Sequence, residues 1–554
     1  MSRARTRDGA RSARLATRRR QKKQRYGRFL GFAALGSLVP GTGLIAAGKR
    51  RLGTFLLVML GLVAAIALAV VILVPHRRLL SYSGDRQMLL TVGVALAGAA
   101  ALWLIVALTS HRLLEPEGLP AGKRLAGALV VVAATSLVVS PLAVTAKNAF
   151  TQRDLIGAIS SSGESHTTPH IEDKRDPWAD KPRLNVLLLG SDAGDGREGV
   201  RPDTQIVASI DTQTGDTTTI SIPRNLQGFP YPDESPLSEI YPDGWNGPAG
   251  DDPGEWMINA VFRNVPATHP EVFEGVGNPG ADATKWAVEG ALGIDIDYFM
   301  MVNLEGFAYI VDALGGVTLD VPRDIPIGNK ELPGGGCTTP RGYVQAGDNQ
   351  ELNGDDALWF ARSRCGSDDY DRMARQQCVI NAIVDEADPR TLVTQYQSLA
   401  SATADTVETD VPDDLFPALI DLLMDVQGGT MESLTLDNDF FSEMGTTSSN
   451  PDYDQVHERI DEILEPAGES DGSQDQPEED TSRADPSDEA DASETDTEDN
   501  HAASSTSDSD TTDSEVVSAA EDFPSDGTDD GDETAEDGED EPAGDEPVET
   551  ESAC

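Results

Sequence analysis

Apolar residues along this chain follow two patterns, and a third stretch shows none. Leu52–Val74, Met88–Leu108 and Leu125–Thr145 are apolar runs of 21 to 23 residues with no charged residue inside them. At about 1.5 Å per residue each is long enough to cross a hydrocarbon core of roughly 30 Å. Three such runs, this far into the chain, are not a cleaved signal peptide. A fourth apolar stretch, Phe29–Gly48, contains Pro40 and five glycines. From Arg183 the pattern becomes that of a globular domain. Asn185–Leu189 predicts a buried strand stopped by Gly190, and Thr204–Asp211 and Thr217–Ile222 predict two more around a Thr212–Asp216 turn. Helices are predicted at Ala281–Leu292, Leu304–Ala313, Ala374–Ala387, Leu415–Val426 and Asp454–Leu464, and strands at Tyr298–Val302 and Val317–Val321. Strands alternating with helices indicate an α/β domain with helices covering a central sheet, and residues 181–466 are enough for a real core. From Gly468 onward Asp, Glu, Ser and Thr dominate, which predicts a disordered acidic tail.

Charge sharpens this division. The 554 residues carry 42 Lys+Arg against 95 Asp+Glu, a formal net charge of −53. That balance argues against a nucleic-acid partner, which needs a surplus of cations. Most of it sits in the tail: residues 471–554 hold 33 Asp/Glu and one Arg, whereas residues 1–28 hold twelve Lys/Arg and one Asp. Cytoplasmic flanks of membrane helices are rich in Lys and Arg, so the basic arm and the Lys49–Arg51 cluster both belong inside the cell. Both can lie there if Phe29–Gly48 dips in and returns at Pro40–Gly41. The predicted organisation is then a basic cytoplasmic arm (1–28) and a membrane region (29–146) with a re-entrant 29–48 and helices 52–74, 88–108 and 125–145. A Ser/Thr/His/Pro-rich linker (147–180), an extracytoplasmic domain (181–466) and the tail (467–554) complete it. The expected location is the cell membrane, multi-pass.

Three patches in the domain share one chemical theme. Asp192 follows the first strand and Asp203 precedes the second, so two carboxylates at neighbouring strand ends are able to share a hard divalent cation. Arg224 follows the third strand in SIPR (221–224). In ARSR (361–364), Arg362 and Arg364 stand two apart, on one side of an extended stretch. On the helix that follows, Arg372, Arg375 and Gln376 share a face at i, i+3 and i+4. Guanidinium forks bind phosphate oxygens bidentately, which points to a pyrophosphate or phosphodiester. The alternative is a salt-bridged surface using Asp368, Asp369 and Asp371.

These segments also resemble a known family. NVLLLGSD (185–192), RPDT (201–204), SIPR, DALGGV (312–317), LNGDDAL (352–358), ARSR and DRMARQQ (371–377) occur in the order and rough spacing of the LytR–CpsA–Psr family. LVPGTGLIAAGKRRLG (38–53) is similar to actinobacterial members in particular. Asn225 stands where many members have Asp or Ser, and Pro202 replaces a common Ser. The resemblance implies an α/β/α sandwich with a central mixed sheet and an apolar tunnel for a prenyl chain. It implies a membrane-anchored phosphotransferase that moves a glycopolymer from an undecaprenyl-pyrophosphate carrier to peptidoglycan, leaving a phosphodiester. By motif, Asp192 and Asp203 hold Mg²⁺ (or Mn²⁺), and Arg224, Arg362, Arg364, Arg372, Arg375 and Gln376 clamp the pyrophosphate. Of four cysteines, Cys337 and Cys378 are the expected disulfide, with Cys337–Cys365 the second choice and Cys554 unpaired. A non-catalytic polyprenyl-phosphate receptor, a hydrolase of the same lipid and a protein acceptor stay open as alternatives.

Overall fold

The computed structural model describes residues 26–160, 165–174, 176–191, 200–330, 332, 336–387 and 406–465. All of them belong to one compact unit, and residues 467–554, where the tail with its unpaired Cys554 is expected, lie outside the described residues.

The chain opens with helix α1 (residues 26–38), reverses over residues 39–41, and continues as α2 (Thr42–Ala46). Pro40 cannot extend a helix, and Gly41 takes φ 103° with its Cα against the Gly53 carbonyl, only 2.5 Å from where a Cβ would sit. Trp103 Nε1 donates to the Ser37 carbonyl at 2.8 Å, and the Phe29 ring packs 5.7 Å from His111, so the hairpin folds back along one neighbouring helix. That neighbour is α5 (Arg86–Leu114), preceded by α3 (Arg50–Leu73) and the short α4 (His76–Ser81), and followed by α6 (Ala121–Ile159). Helices α3, α5 and α6 are long and apolar enough to cross a membrane.

The first part of the segment expected as a linker (147–180) is helical. Helix α6 runs on to Ile159, and described residues of the segment that follows are tied into the domain. Ser165 and Thr167 donate to buried Asp282, Thr168 to Asp410, and Trp178 stacks edge-on to Tyr298. Polar residues that composition marks as solvated are here the partners of buried carboxylates.

The domain is built on a six-stranded sheet in the order β10-β3-β2-β1-β4-β9. Its strands are β1 (Arg183–Ser191), β2 (Thr204–Asp211), β3 (Thr217–Ser221), β4 (Tyr298–Asn303), β9 (Val407–Thr409) and β10 (Met431–Thr435). Strand β1 pairs antiparallel with β2 and parallel with β4, so the sheet is mixed as expected. Alternation along β1 sends Leu187 and Leu189 to one face, and Leu184 and Val186 to the other. The first face is covered by α7 (Pro236–Ile240), α8 (Ile258–Thr268) and α9 (Pro279–Leu292), joined later in the chain by α14 (Asn438–Glu443) and α15 (Tyr453–Leu464). The second face takes α13 (Phe416–Val426). A side lobe, not foreseen from the sequence, packs around Phe360: α10 (Leu304–Leu314), the pairs β5 (Val317–Val321) with β8 (Gly347–Leu352) and β6 (Ile325–Ile327) with β7 (Gly342–Val344), α11 (Gly354–Arg362) and one side of α12 (Asp369–Glu386).

One carboxyl inside the first face titrates unusually. Burial pushes the Glu289 carboxyl up to about 7, against the opposing pull of its bond from the Ile296 amide and of Lys285. The folded chain therefore holds this proton more tightly than the unfolded chain, so stability falls as pH rises from the carboxylate range to about 7. Glu289→Gln is expected to remove that slope and to stabilise the protein at pH 8 by on the order of 2 kcal/mol. Denaturant melts at pH 5 and pH 8 check it; equal pH dependence in both proteins would refute it.

Candidate functional site

The site forms where β1 ends and β2 begins. Gly190 pairs with Thr204, which places Asp203 beside the outgoing end of β1. Asp192, the other expected metal ligand, falls outside the described residues. Asn259, in the first turn of α8, donates from Nδ2 to Asp203 Oδ1 at 3.0 Å. Arg364 reaches Asp203 Oδ2 at 3.0 Å and Arg224 lies 3.6 Å from Oδ1. The same two guanidiniums also meet a second carboxylate, Asp369, at 3.3 and 3.6 Å. Arg372, 2% exposed, completes the cluster with Asp369 at 3.0 Å and the Asp203 carbonyl at 3.1 Å. Three guanidiniums thus converge on two carboxylates, with Arg224, Arg364 and Arg372 delivered by three different segments of chain.

The electrostatics follow from that packing. Burial alone would raise the Asp203 carboxyl, but Arg364, Arg224 and Arg372 outweigh it and hold it below the usual carboxylate range. Burial, then the neighbouring Arg364, lowers Arg372 to about 10. A buried cation so affected gains from an incoming anion, since each added negative charge relieves the repulsion among the arginines.

Arg375 and Arg362, also expected in the clamp, have contacts of their own. Arg375 is 1% exposed and bonds to Asp371 at 2.5 Å, to the Phe360 carbonyl at 2.7 Å and to the Ser363 carbonyl, so it fastens α11 to α12. Its position on the face of Arg372 is real, but the end of α11 covers it. Arg362 is the last residue of α11 rather than part of an extended stretch, and its guanidinium lies over the Trp359 ring, 5.3 Å from the centroid. Gln376 borders the cluster, donating to Thr204 Oγ1 at 2.9 Å and to the Ala361 carbonyl at 3.2 Å. Asn225 holds Ser448 through a 3.1 Å bond.

Asn259 and Asp369 were missed as site residues. Asp369 was visible in DDYDR, though only as a candidate surface ion pair. Asn259 gave no signal, because α8 itself was not predicted.

The expected disulfide is also corrected. Cys337 bonds Cys365, the second choice, with Cα atoms 6.0 Å apart, and Cys378, which is disulfide-bonded but not to Cys337, packs among the apolar residues of α12 that face Phe360. The bridge ties the residue after Arg364 to the side lobe. Closing a loop of 28 residues limits the unfolded chain, so Cys337→Ser is expected to cost about 3 kcal/mol in denaturant unfolding under oxidising conditions, and nothing after reduction of both proteins.

The sequence model of the LytR_cpsA_psr family matches residues 155–465. The chain belongs to this family. Among its relatives, the polyisoprenyl-teichoic acid–peptidoglycan teichoic acid transferase TagU of Oceanobacillus iheyensis is 28% identical over 246 residues, 44% of this chain and 63% of that protein. Biofilm regulatory protein A of Streptococcus mutans is 25% identical over 296 residues, 52% of this chain and 63% of its own. The chain therefore spans under two thirds of these relatives' lengths. The solved structure of the LytR-CPS2A-psr family protein YwtF (TagT) with bound octaprenyl pyrophosphate lipid shares 20% identity at a TM-score of 0.33, over 55% of this chain and 98% of that one.

Proposed function

We propose that this protein is a membrane-anchored phosphotransferase that moves a glycopolymer from an undecaprenyl-pyrophosphate carrier to peptidoglycan, with the domain outside the cell. The observation that carries the reading is the convergence of Arg224, Arg364 and Arg372 on Asp203 and Asp369 at the β1–β2 strand ends. The transferase names of relatives such as TagU support it. Topology supports the location. Helices α3, α5 and α6 make three crossings, and Arg77, between α3 and α5, pairs with Asp421 of the domain at 3.5 Å. That loop and the domain are separated by two crossings, so they share one side, opposite Lys49–Arg51.

A hydroxyl of the acceptor attacks the phosphorus that carries the glycopolymer, and undecaprenyl phosphate leaves. Arg224, Arg364 and Arg372 turn from the two carboxylates to the phosphoryl oxygens, where positioned charge supplies most of the catalysis. Asp369, released from them and partly exposed, is placed to take the hydroxyl proton. The residues fit a hard divalent ion such as Mg²⁺. Near Asp203 in the fold, the buried Oδ1 of Asn259 and Oε1 of Gln205 have no hydrogen-bond partner, and oxygen donors of this kind suit such an ion. Bound there with Asp203 and Asp192, the ion would neutralise pyrophosphate charge.

The test is to incubate the full chain, reconstituted in lipid, with a synthetic sugar-pyrophosphoryl-polyprenyl donor, Mg²⁺ and peptidoglycan oligomers. A phosphodiester-linked product is expected. Free phosphate without coupled product would favour a hydrolase. Binding with neither would favour a regulator, the reading that the similarity to biofilm regulatory protein A keeps in view.

A further inference from the structure

Helix α13, FPALIDLLMDV, carries more apolar surface than the domain core uses. Leu419, Leu422 and Val426 form one stripe at i, i+3 and i+7 and pack against Leu184, Val186, Ile210 and Tyr298. A surface helix of a soluble domain is polar around the rest of its circumference. Here Ile420, Leu423 and Met424 form a second apolar stripe at i, i+3 and i+4, and Leu423 is 50% exposed. Only Asp421 and Asp425 are charged.

The same helix meets the chain that joins α3 to α5. A Cβ on Gly84 would fall 2.8 Å from Ile420 Cδ1 and 3.1 Å from the backbone of Phe416 and Pro417, so the contact exists because this residue has no side chain. Arg77 pairs with Asp421 at 3.5 Å and with Asp425, and donates to the Asp421 carbonyl at 2.7 Å. Arg86, the first residue of α5, pairs with Asp413 just before α13. Phe416 packs against Leu89, Ala149 and Ile156, on the adjoining ends of α5 and α6. Ile72 and Leu73, at the end of α3, are left 69% and 78% exposed, so the apolar surface of the membrane helices continues up to this junction. These contacts fix the level of α13: beside the polar residues that end α3 and begin α5.

We propose that α13 is a membrane-surface helix, lying in the boundary between acyl chains and headgroups, with Leu423 and Met424 toward lipid, Ile420 against the turn at Gly84, and the Leu419–Leu422–Val426 stripe in the domain core. The partner is a lipid surface. Continuity with the lipid-facing ends of α3, α5 and α6 favours it over a second protein, and so does the pairing of Asp421 and Asp425 with Arg77, which leaves apolar contact as the attraction. The same pairing accounts for Arg77 on the outer side of the membrane, where the positive-inside tendency disfavours it. The inference rests on the reading that α3, α5 and α6 cross a bilayer.

Nitroxide labels on Leu423→Cys, Glu458→Cys and Ile66→Cys in the full chain, reconstituted into phosphatidylcholine vesicles, test it. Relaxation of each label by oxygen, which concentrates in lipid, is compared with relaxation by a water-soluble nickel chelate. The expected result is oxygen-dominated relaxation at Leu423 and at Ile66 in α3, and chelate-dominated relaxation at Glu458 on α15. Chelate-dominated relaxation at Leu423 with oxygen-dominated relaxation at Ile66 would overturn the seat and leave the crossings intact. Chelate-dominated relaxation at both would overturn the membrane reading as well. A Leu423 label shielded from both relaxants would show protein, not lipid, on this stripe, and would also overturn the proposal.

Discussion

Arg364→Ala is expected to lower glycopolymer transfer by about 10²–10³-fold, with little change in unfolding temperature. Its guanidinium touches both carboxylates of the cluster, Asp203 at 3.0 Å and Asp369 at 3.3 Å, from a side chain that is 21% exposed. It is therefore free to re-aim at a phosphate without unpacking anything. Arg364→Lys should restore only part of the rate, since an ammonium cannot bridge two oxygens as a planar fork does. The control is Arg375→Ala, eleven residues on. Its side chain is 1% exposed and holds Phe360 and Ser363 carbonyls, so its loss should lower the melting temperature while the folded fraction keeps its turnover. Equal rate losses in the two variants, after correction for folded protein, would mean that the clamp has been misassigned.

That contrast shows what the sequence reveals and what it does not. Arg372 and Arg375 share a helix face by spacing alone, and the structure agrees. Which of them faces Asp203 and Asp369 depends on α11, whose C-terminal carbonyls cover Arg375, and ARSR carries no periodic pattern from which the end of that helix at Arg362 can be read. Strands β1 to β3 were legible because each is a local apolar or β-branched run ended by Gly, Pro or a turn. Strands β9 and β10 were not, because Val407–Thr409 and Met431–Thr435 are short edge segments whose pairing partners lie far away in sequence. The choice of Cys365 over Cys378 likewise depends on where the side lobe lies, not on spacing. Composition says least at the start of the domain, where Ser165, Thr167 and Thr168 read as part of a Ser/Thr/His/Pro-rich linker and bond to Asp282 and Asp410.

The second of those carboxylates supports the largest stability effect expected here. Lys285 is fully buried, with Nζ 2.9 Å from Asp410 Oδ2 and 2.8 Å from the Asp297 carbonyl. Asp410 also accepts from the Phe299 amide at 2.7 Å and from Thr168 at 2.6 Å, so one ion pair ties α9, β4, the end of β9 and the segment leaving α6. Removing one partner strands the other's charge away from water, and Lys285→Ala is expected to cost about 3–5 kcal/mol. Much of that cost is the stranded carboxylate rather than lost attraction. Lys285→Met with Asp410→Asn should therefore be more stable than Lys285→Met alone, because the neutral amide keeps the shape and can still accept from Phe299. Denaturant unfolding of the three variants decides this, and a double variant no more stable than the single one would show that the pair acts by attraction across the sheet edge. Neither residue touches the arginine cluster, so the folded fraction of each variant should retain its transfer rate.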